Sequence, residues 1–593
     1  MSSININTGK LVTFAVYSNG SEVGSPFCVK SIEVHREVNR IGWAVLKFIA
    51  GDMPKANIPE SEADEFKPGR NIKIEVGYES TNSQIFEGIV VSQKIQITGD
   101  ESPLLVVECR DEAIKATVAR KNRIFEDKKD QEAVVAALGD NGLSVSMEDT
   151  KIVHTHLVQY YCTDWDFALS RADVYGMVVT TDGAKVEIKK PVVSGPVLIV
   201  TYGTDLLSFD GEVYAEDQFT TVEGVGWNPV EQKNISASSS PASLNSQGNL
   251  TPGNLSSAAG TDKVTLQTDA LSDSGVLKEW VDATLLKTGL SRFRGTFSFQ
   301  GNAAAVPGCV IKLEGMGARF NGDAYVGAVT HKVEDGAWTT EVEMGISPMN
   351  ITQQPDVLAP PASGLYPGIE GLHIGIVEAL KGDPDSNSRI KVRIPLLNVK
   401  PDAVWARLSQ FAASNGVGSF FIPSVGDEVI LGFINNDPNQ AIILGCLYSA
   451  KHVSPYEIDD DNFKRAFISP EKLKIELDDE KKIITIITPG KNSIVIDDDT
   501  KSITLKDQNK NEIVMGDSGI EITSGKDITL KAKGNIVLDA TGKMSIKAKQ
   551  DTNIEGMNVT AKAQTGLKVT GTATAEISAS GQTVVKGAMV MIN

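Results

Sequence analysis

His154, Thr155 and His156 stand in a row, so on a strand the two imidazoles would share one face, and Cys162 and Asp164 follow within ten residues. Imidazole, thiolate and carboxylate are zinc-ligand types, and zinc needs four of them to converge in a tetrahedron. Packed or exposed histidines satisfy the same sequence, so whether His154 and His156 bind anything depends on where the fold carries them. The other chemistry-bearing clusters are acidic. Asp459 to Asp461 and Asp497 to Asp499 offer paired carboxylates of the kind that hydrolyse glycosides, although consecutive aspartates more often cap solvated turns. No Ser-His-Asp pattern, phosphate-binding loop or dinucleotide glycine fingerprint is present. No catalytic residue, cofactor site or metal site is assigned, and the chain is not expected to be an enzyme.

The elements that would position these groups are mostly strands. At 593 residues the chain exceeds one core, since domains hold roughly 100 to 200 residues. A formal charge of -19 argues against nucleic acid and anionic membranes as partners. Five scattered cysteines (Cys28, Cys109, Cys162, Cys309, Cys446) fit neither a disulfide framework nor a metal-ligand spacing. The segment LVTFAVY (11–17) is short, lacks a cleavage site and alternates like a strand, and no apolar run approaches the roughly 18 residues of a membrane span. Cytoplasmic assembly without a signal peptide is expected, with no stable membrane insertion.

Two motifs resemble one another. PGRNIKIEVG with FEGIVVSQK covers 68–94, and PGCVIKLEGMG with YVGAVTHK covers 307–332. In each, Pro-Gly opens a turn and Ile or Val alternates with Lys and Glu; Gly88 and Gly327 both fall 20 residues after the proline. An internal duplication, giving two similar small β-barrels within a hub of residues 1–360, accounts for both. Helical spacing at 130–142, 164–176 and 274–290 predicts α/β insertions, and the Ser/Asn-rich stretch 233–262 reads as a flexible loop. Short strands with Gly, Asp-Pro and Asn turns predict a small antiparallel barrel over 364–450, with a linker at 451–470.

No aromatic residue follows Phe467, and there an apolar beat begins. Leu530, Leu538, Ile546 and Ile554 are eight apart; Ile528, Ile536 and Met544 share their face, while Thr529, Val537 and Ser545 point outward. A slip of one residue after Ile554 restarts the beat at Val569, Ile577 and Val585. A single-chain β-helix needs on the order of 20 residues per coil at about 3.3 Å each, so eight cannot close one. Eight can form one side of a prism whose other sides come from two further copies. The expected fold is therefore mainly β: duplicated hub β-barrels with α/β insertions, a small antiparallel barrel that resembles an oligonucleotide-binding (OB) fold, and an intertwined trimeric β-helix needle over 471–593, with longer units and wider loops over 471–523. A solvated β-meander or amyloid-like repeat is the alternative.

With YYCTDWDFALSRADVYG (160–176), RIKVRIPLL, WARLSQ and VGDEVILGF in the small barrel, and the terminal GAMVMIN, nearly the whole chain resembles the valine-glycine repeat protein G (VgrG) family, the hub and spike of contractile injection systems. The resemblance implies a homotrimer whose six barrels match a hexameric tail tube, with baseplate proteins around it. It also implies a proline-alanine-alanine-arginine (PAAR) repeat tip protein on Met589, Val590, Met591, Ile592 and Asn593. Separately encoded effectors are candidate cargo on 233–262 and 471–523, and sheath contraction would drive the spike out of the cell and into a target. Only 449–469 separates barrel from needle, too short for a lysozyme-like core, and no toxin domain is expected after the needle. A type VI secretion apparatus, an extracellular injection particle and a phage tail all use such a spike. The competing class is a trimeric tailspike-like polysaccharide hydrolase or lyase; an adhesin fibre is the third.

Overall fold

The structure is a computed structural model that describes residues 10–99, 102–229, 231–269, 273–398 and 400–592. It divides into two compact units, one ending at Leu447 and the other starting at Tyr448.

The first unit is built on a 13-stranded sheet. Alternation dictates its strands: in Asn71–Tyr78, Ile72, Ile74 and Val76 are buried while Lys73 and Glu75 face outward and pair at 2.7 Å. The candidate leader segment forms the strand Val12–Ser18, laid antiparallel on Asn71–Tyr78.

Ten strands of the sheet form two sets of five. The first set is β1 (Cys28–Glu37), β2 (Trp43–Ile49), β3 (Asn71–Tyr78), β4 (Thr81–Gln96) and β5 (Leu104–Arg110). The second is β6 (Leu206–Val213), β7 (Phe293–Gln300), β8 (Val310–Glu314), β9 (Gly322–Glu334) and β10 (Ala337–Met344). Each set pairs antiparallel in the order first, second, fifth, fourth, third. The irregularities repeat as well. An extra residue bulges β1 at Lys30 and β6 at Leu207, and another bulges β4 at Val91 and β9 at Gly327. Both third strands are entered alike, by Gly69 N–H to the Val90 carbonyl and by Gly308 N–H to the Val326 carbonyl, each 2.8 Å.

Two details differ from the sequence expectation. Gly88 and Gly327 are not equivalent, because Val91 holds the place of Gly327 and the second hairpin is shorter. Both glycines are nonetheless required, since a Cβ would lie 2.2 Å from the Arg110 carbonyl at Gly88 and 2.0 Å from the Gly345 carbonyl at Gly327. The two sets also share one continuous sheet in place of two separate closed barrels, because β1 pairs with β9 along Ala328–Glu334. Each set still has its own core, one around Phe48, Phe66 and Phe86 and the other around Phe297, Phe299 and Leu313.

A third core belongs to α1 (Asp130–Gly139) and α2 (Asp164–Val174), the latter N-capped by Thr163. The stretch 233–262 is not a flexible loop. It contains the strand Lys233–Ser238, paired with Thr221–Asn228, and the helix α3 (Pro252–Ala259). Local polar bonds add to the few apolar contacts of Ala237, Ala242 and Leu244: Thr251 and Asn254 cap α3 reciprocally, and buried Asn245 accepts from the Arg292 guanidinium at 2.9 Å. Asp273 caps the helix α4 (Ser274–Leu290), which packs on this small sheet.

The strands His373–Ala379, Ile390–Arg393, Ala403–Leu408, Ala441–Cys446 and Glu428–Phe433 close a barrel around Val392, Val429 and Leu431. Among the described residues no helix is long and apolar enough to cross a membrane.

His331, on β9 beside the β1 joint, is buried, its Nδ1 2.9 Å from Thr340 Oγ1. Burial first, and then nearby Arg36, push its imidazole down to about 3. The unfolded chain takes up this proton near pH 6.5, so the folded hub loses stability as pH falls from about 6.5 towards 3. A His331→Gln variant should unfold at lower temperature near neutrality yet lose less of its midpoint on acidification than the parent, read by thermal denaturation at several pH values.

Candidate functional site

The second unit begins with a seven-stranded antiparallel meander running from Lys464–Ile468 to Gly519–Thr523. Its first strand lies inside the expected linker 451–470, because Phe467 pairs with Ile475. Every strand has five residues, and turn chemistry sets that length: Asp497 accepts N–H bonds from Asp499 and Thr500, and Asp507 does so from Asn509 and Asn511. Those bonds hold both carboxyls below the usual carboxylate range. The acidic run 497–499 is thus a turn cap, and Asp459 likewise accepts from Asn462 N–H at 2.8 Å.

Alternation across such uniform strands sorts the side chains into columns. One runs Ile475, Ile486, Ile494, Leu505, Ile513, Ile522 and another Leu477, Ile484, Ile496, Ile503, Met515, Ile520, each residue directly across from the next. Both columns lie on one face. The other face carries Lys464, Lys474, Glu476 and Asp478 in ion pairs, and then Thr485, Val495 and Thr504. The apolar face is open: Ile486 and Ile494 are 42% and 40% exposed although they sit mid-sheet. Burying one such side chain is worth about 1.5–3 kcal/mol, so two columns of them constitute a surface built to be covered. Sequence reasoning placed longer units with wider loops here; the alternation in SIVID, SITLK and EIVMG is what sorts those units into an apolar and a polar face.

Below the meander, residues 524–592 form no strand ladder within the chain. The backbone bends at 525, 533, 541, 549 and 557 and then at 564, 572, 580 and 588, a step of eight broken by a single step of seven. That seven falls where the apolar beat slips. Ile528, Leu530, Ile536, Leu538, Met544, Ile546, Ile554, Val569, Ile577 and Val585 are all more than half exposed. Met589, Val590, Met591 and Ile592 are exposed too, and Asn593 lies outside the described residues.

The two histidines do not converge. His154 Nε2 lies 2.7 Å from Asp130 Oδ2, and this buried carboxylate also accepts from Arg171 and Tyr175. Burial raises the Asp130 carboxyl, but Arg171, Tyr175 and His154 outweigh it and hold it below its ordinary value. His156 faces outward, 3.9 Å from Glu126, and Asp164 is taken by Lys121, Asn141 and Gln159. Among the described residues no group of three or more His, Cys, Asp or Glu side chains could hold a metal ion.

Residues 8–335, more than half of the chain, match the family model described as Alg8 N-terminal domain. The barrel, 373–448, matches the type VI secretion system/phage-baseplate injector OB domain, and 483–537 match the phage baseplate V C-terminal trimerisation domain. The chain belongs to the family of the Alg8 N-terminal domain, and shorter stretches of it are similar to VgrG spike proteins. Among VgrG relatives, the type VI secretion system spike protein VgrG3 of Vibrio cholerae is 32% identical over 136 residues, 22% of this chain and 13% of the relative. VgrG4b of Pseudomonas aeruginosa is 40% identical over 65 residues, 11% of this chain and 8% of the relative. The matched regions thus span about an eighth or less of these two relatives. A solved E. coli type VI secretion component is 14% identical, covering 73% of this chain and 99% of its own at a TM-score of 0.38.

Replacing Ile494 by Lys would set a charge in the first apolar column of each copy that a covering partner must desolvate, at on the order of several kcal/mol per copy. Ile494→Lys should abolish self-association at micromolar concentration, whereas Thr485→Lys on the opposite face should leave it intact, as read by sedimentation velocity.

Proposed function

We propose that this chain is the homotrimeric spike of a contractile injection system and acts mechanically, not as an enzyme. The observation that carries this is the open apolar face of the stalk. Three copies meeting face to face bury both columns of each sheet, and each octad below supplies one side of a closed prism whose core is Ile528, Leu530 and their successors. With every strand then paired to a neighbouring copy, the needle has no free edge to fray, the property required of a body driven through an envelope. The match to a trimerisation domain supports the same assembly.

The hub would adjoin the hexameric tail tube and the baseplate, and Met589 to Asn593 would seat a PAAR-like tip protein, which covers an apolar end otherwise left open to water. Effectors encoded separately would travel on the outside of this body. Delivery by sheath contraction makes the working location outside the producing cell or inside a target cell. Among the described residues the acidic runs lend the hydrolase alternative no support, since Asp459 and Asp497 accept turn N–H bonds.

Light scattering tests this reading. The full chain should have the mass of three copies, and a chain ending at Pro470 should fall to a lower mass. A full-length monomer at micromolar concentration would overturn the trimeric spike.

A further inference from the structure

The duplicated hub contains one joint between its halves and leaves the parts of a second joint open. Along Ala328–Glu334, β9 has a strand on each edge: β10 on one, and on the other β1, from Ala328↔Glu37 to Glu334↔Ser31. The shared bulges place Ser92 of β4 where β9 has Ala328, and Gly211 of β6 where β1 has Val34. In β4 the equivalent segment has β5 on one edge only, because pairing with β3 stops at Asn71↔Ile89. The strand β6 is the last of its sheet and pairs only with β7.

Burial differs accordingly. His331 and Val333, beneath the internal joint, are 3% and 6% exposed; their counterparts Ile95 and Ile97 are 42% and 68% exposed. An unpaired strand edge flanked by bare apolar side chains is a template for another strand.

Resting on the trimeric reading, we infer that β6 of one copy adds antiparallel to the free edge of β4 in the next copy, in the register of the internal joint. Carrying that register over sets Gln93 against Val213, Lys94 against Glu212, Ile95 against Gly211 and Gln96 against Asp210. Lys94 meets an opposite charge in the facing strand, as Lys332 meets Glu33 at 3.5 Å inside each chain. Over Gly211 lie the Phe209 ring and the Met344 methyl, which give Ile95 an apolar surface to pack on. The contact is head-to-tail, so it closes into a ring when repeated by a rotation that divides the circle. In a trimer that ring contains six five-strand units, with joints alternately within and between chains.

Carbodiimide, which links a lysine to a carboxylate only in direct contact, reads the pairing. After treatment of the full-length protein, a Lys94–Glu212 linked peptide should be recovered from the denatured band of two-chain mass and be absent from the one-chain band. The Lys332–Glu33 link should appear in both. Lys94→Glu should abolish the first link, and Lys94→Glu combined with Glu212→Lys should restore it. A protein of trimeric mass that yields Lys332–Glu33 without Lys94–Glu212, or yields the latter in the one-chain band, overturns this joint and leaves the trimer standing. A monomeric mass overturns the trimer and the joint together.

Discussion

A β-strand offers two faces and two edges, and in this chain the apolar faces and free edges outnumber what one copy can cover. The meander 464–523 is the plainest case: seven strands hydrogen-bond in sequence, yet one face presents columns of Ile and Leu to water. Strand geometry prevents a remedy within the chain. The seven strands pair only with their neighbours in sequence and do not close over their own apolar face, and the eight-residue steps beneath them are too short to close a coil. Association is the remaining route to a low free energy, and the stalk depends on it.

The hub meets the same constraint at its edges. A duplicated five-strand unit that joins its own second copy through one strand edge necessarily carries the complementary edges at its two extremes. Its bulges fall at matching places, Lys30 with Leu207 and Val91 with Gly327, so both units twist alike and present their edges in the same manner. The helical insertions and α3 lie between strands of this repeat without altering its pairing order. Polar clusters such as Asp130 with His154, Arg171 and Tyr175 hold those insertions together internally.

Much of this was legible in the residues. Period-two alternation marked the hub strands, and helical spacing at 274–290 coincides with Ser274–Leu290. The bends of the stalk keep time with the apolar beat, including its slip. What misled was composition and spacing taken without pairing. Ser and Asn at 233–262 suggested a loop because no apolar core could be counted, but capping bonds and the Asn245–Arg292 contact order that stretch locally. Equal Pro-to-Gly spacing suggested equivalent glycines, although two different registers can each need a glycine against a neighbouring carbonyl. The continuity of the two hub halves rests on a long-range strand pair, which no local pattern records.

The single step of seven between the bends at 557 and 564 bears on how such a stalk changes over time. In the proposed prism, one octad from each of three chains would add one strand layer, about 4.8 Å. Loss or gain of an odd number of residues would turn inward-facing side chains outward for the whole remainder of the stem, and any other number short of eight would move its corners out of step with the neighbouring copies. Stem length is therefore quantised, and insertions survive as whole octads. The seven-residue step is the exception, one residue fewer that the beat itself absorbs, since Val569, Ile577 and Val585 fall five residues after their bends as Leu530, Leu538 and Ile546 do; octads can accumulate above it or below it, but none can straddle it without erasing the step or repeating it.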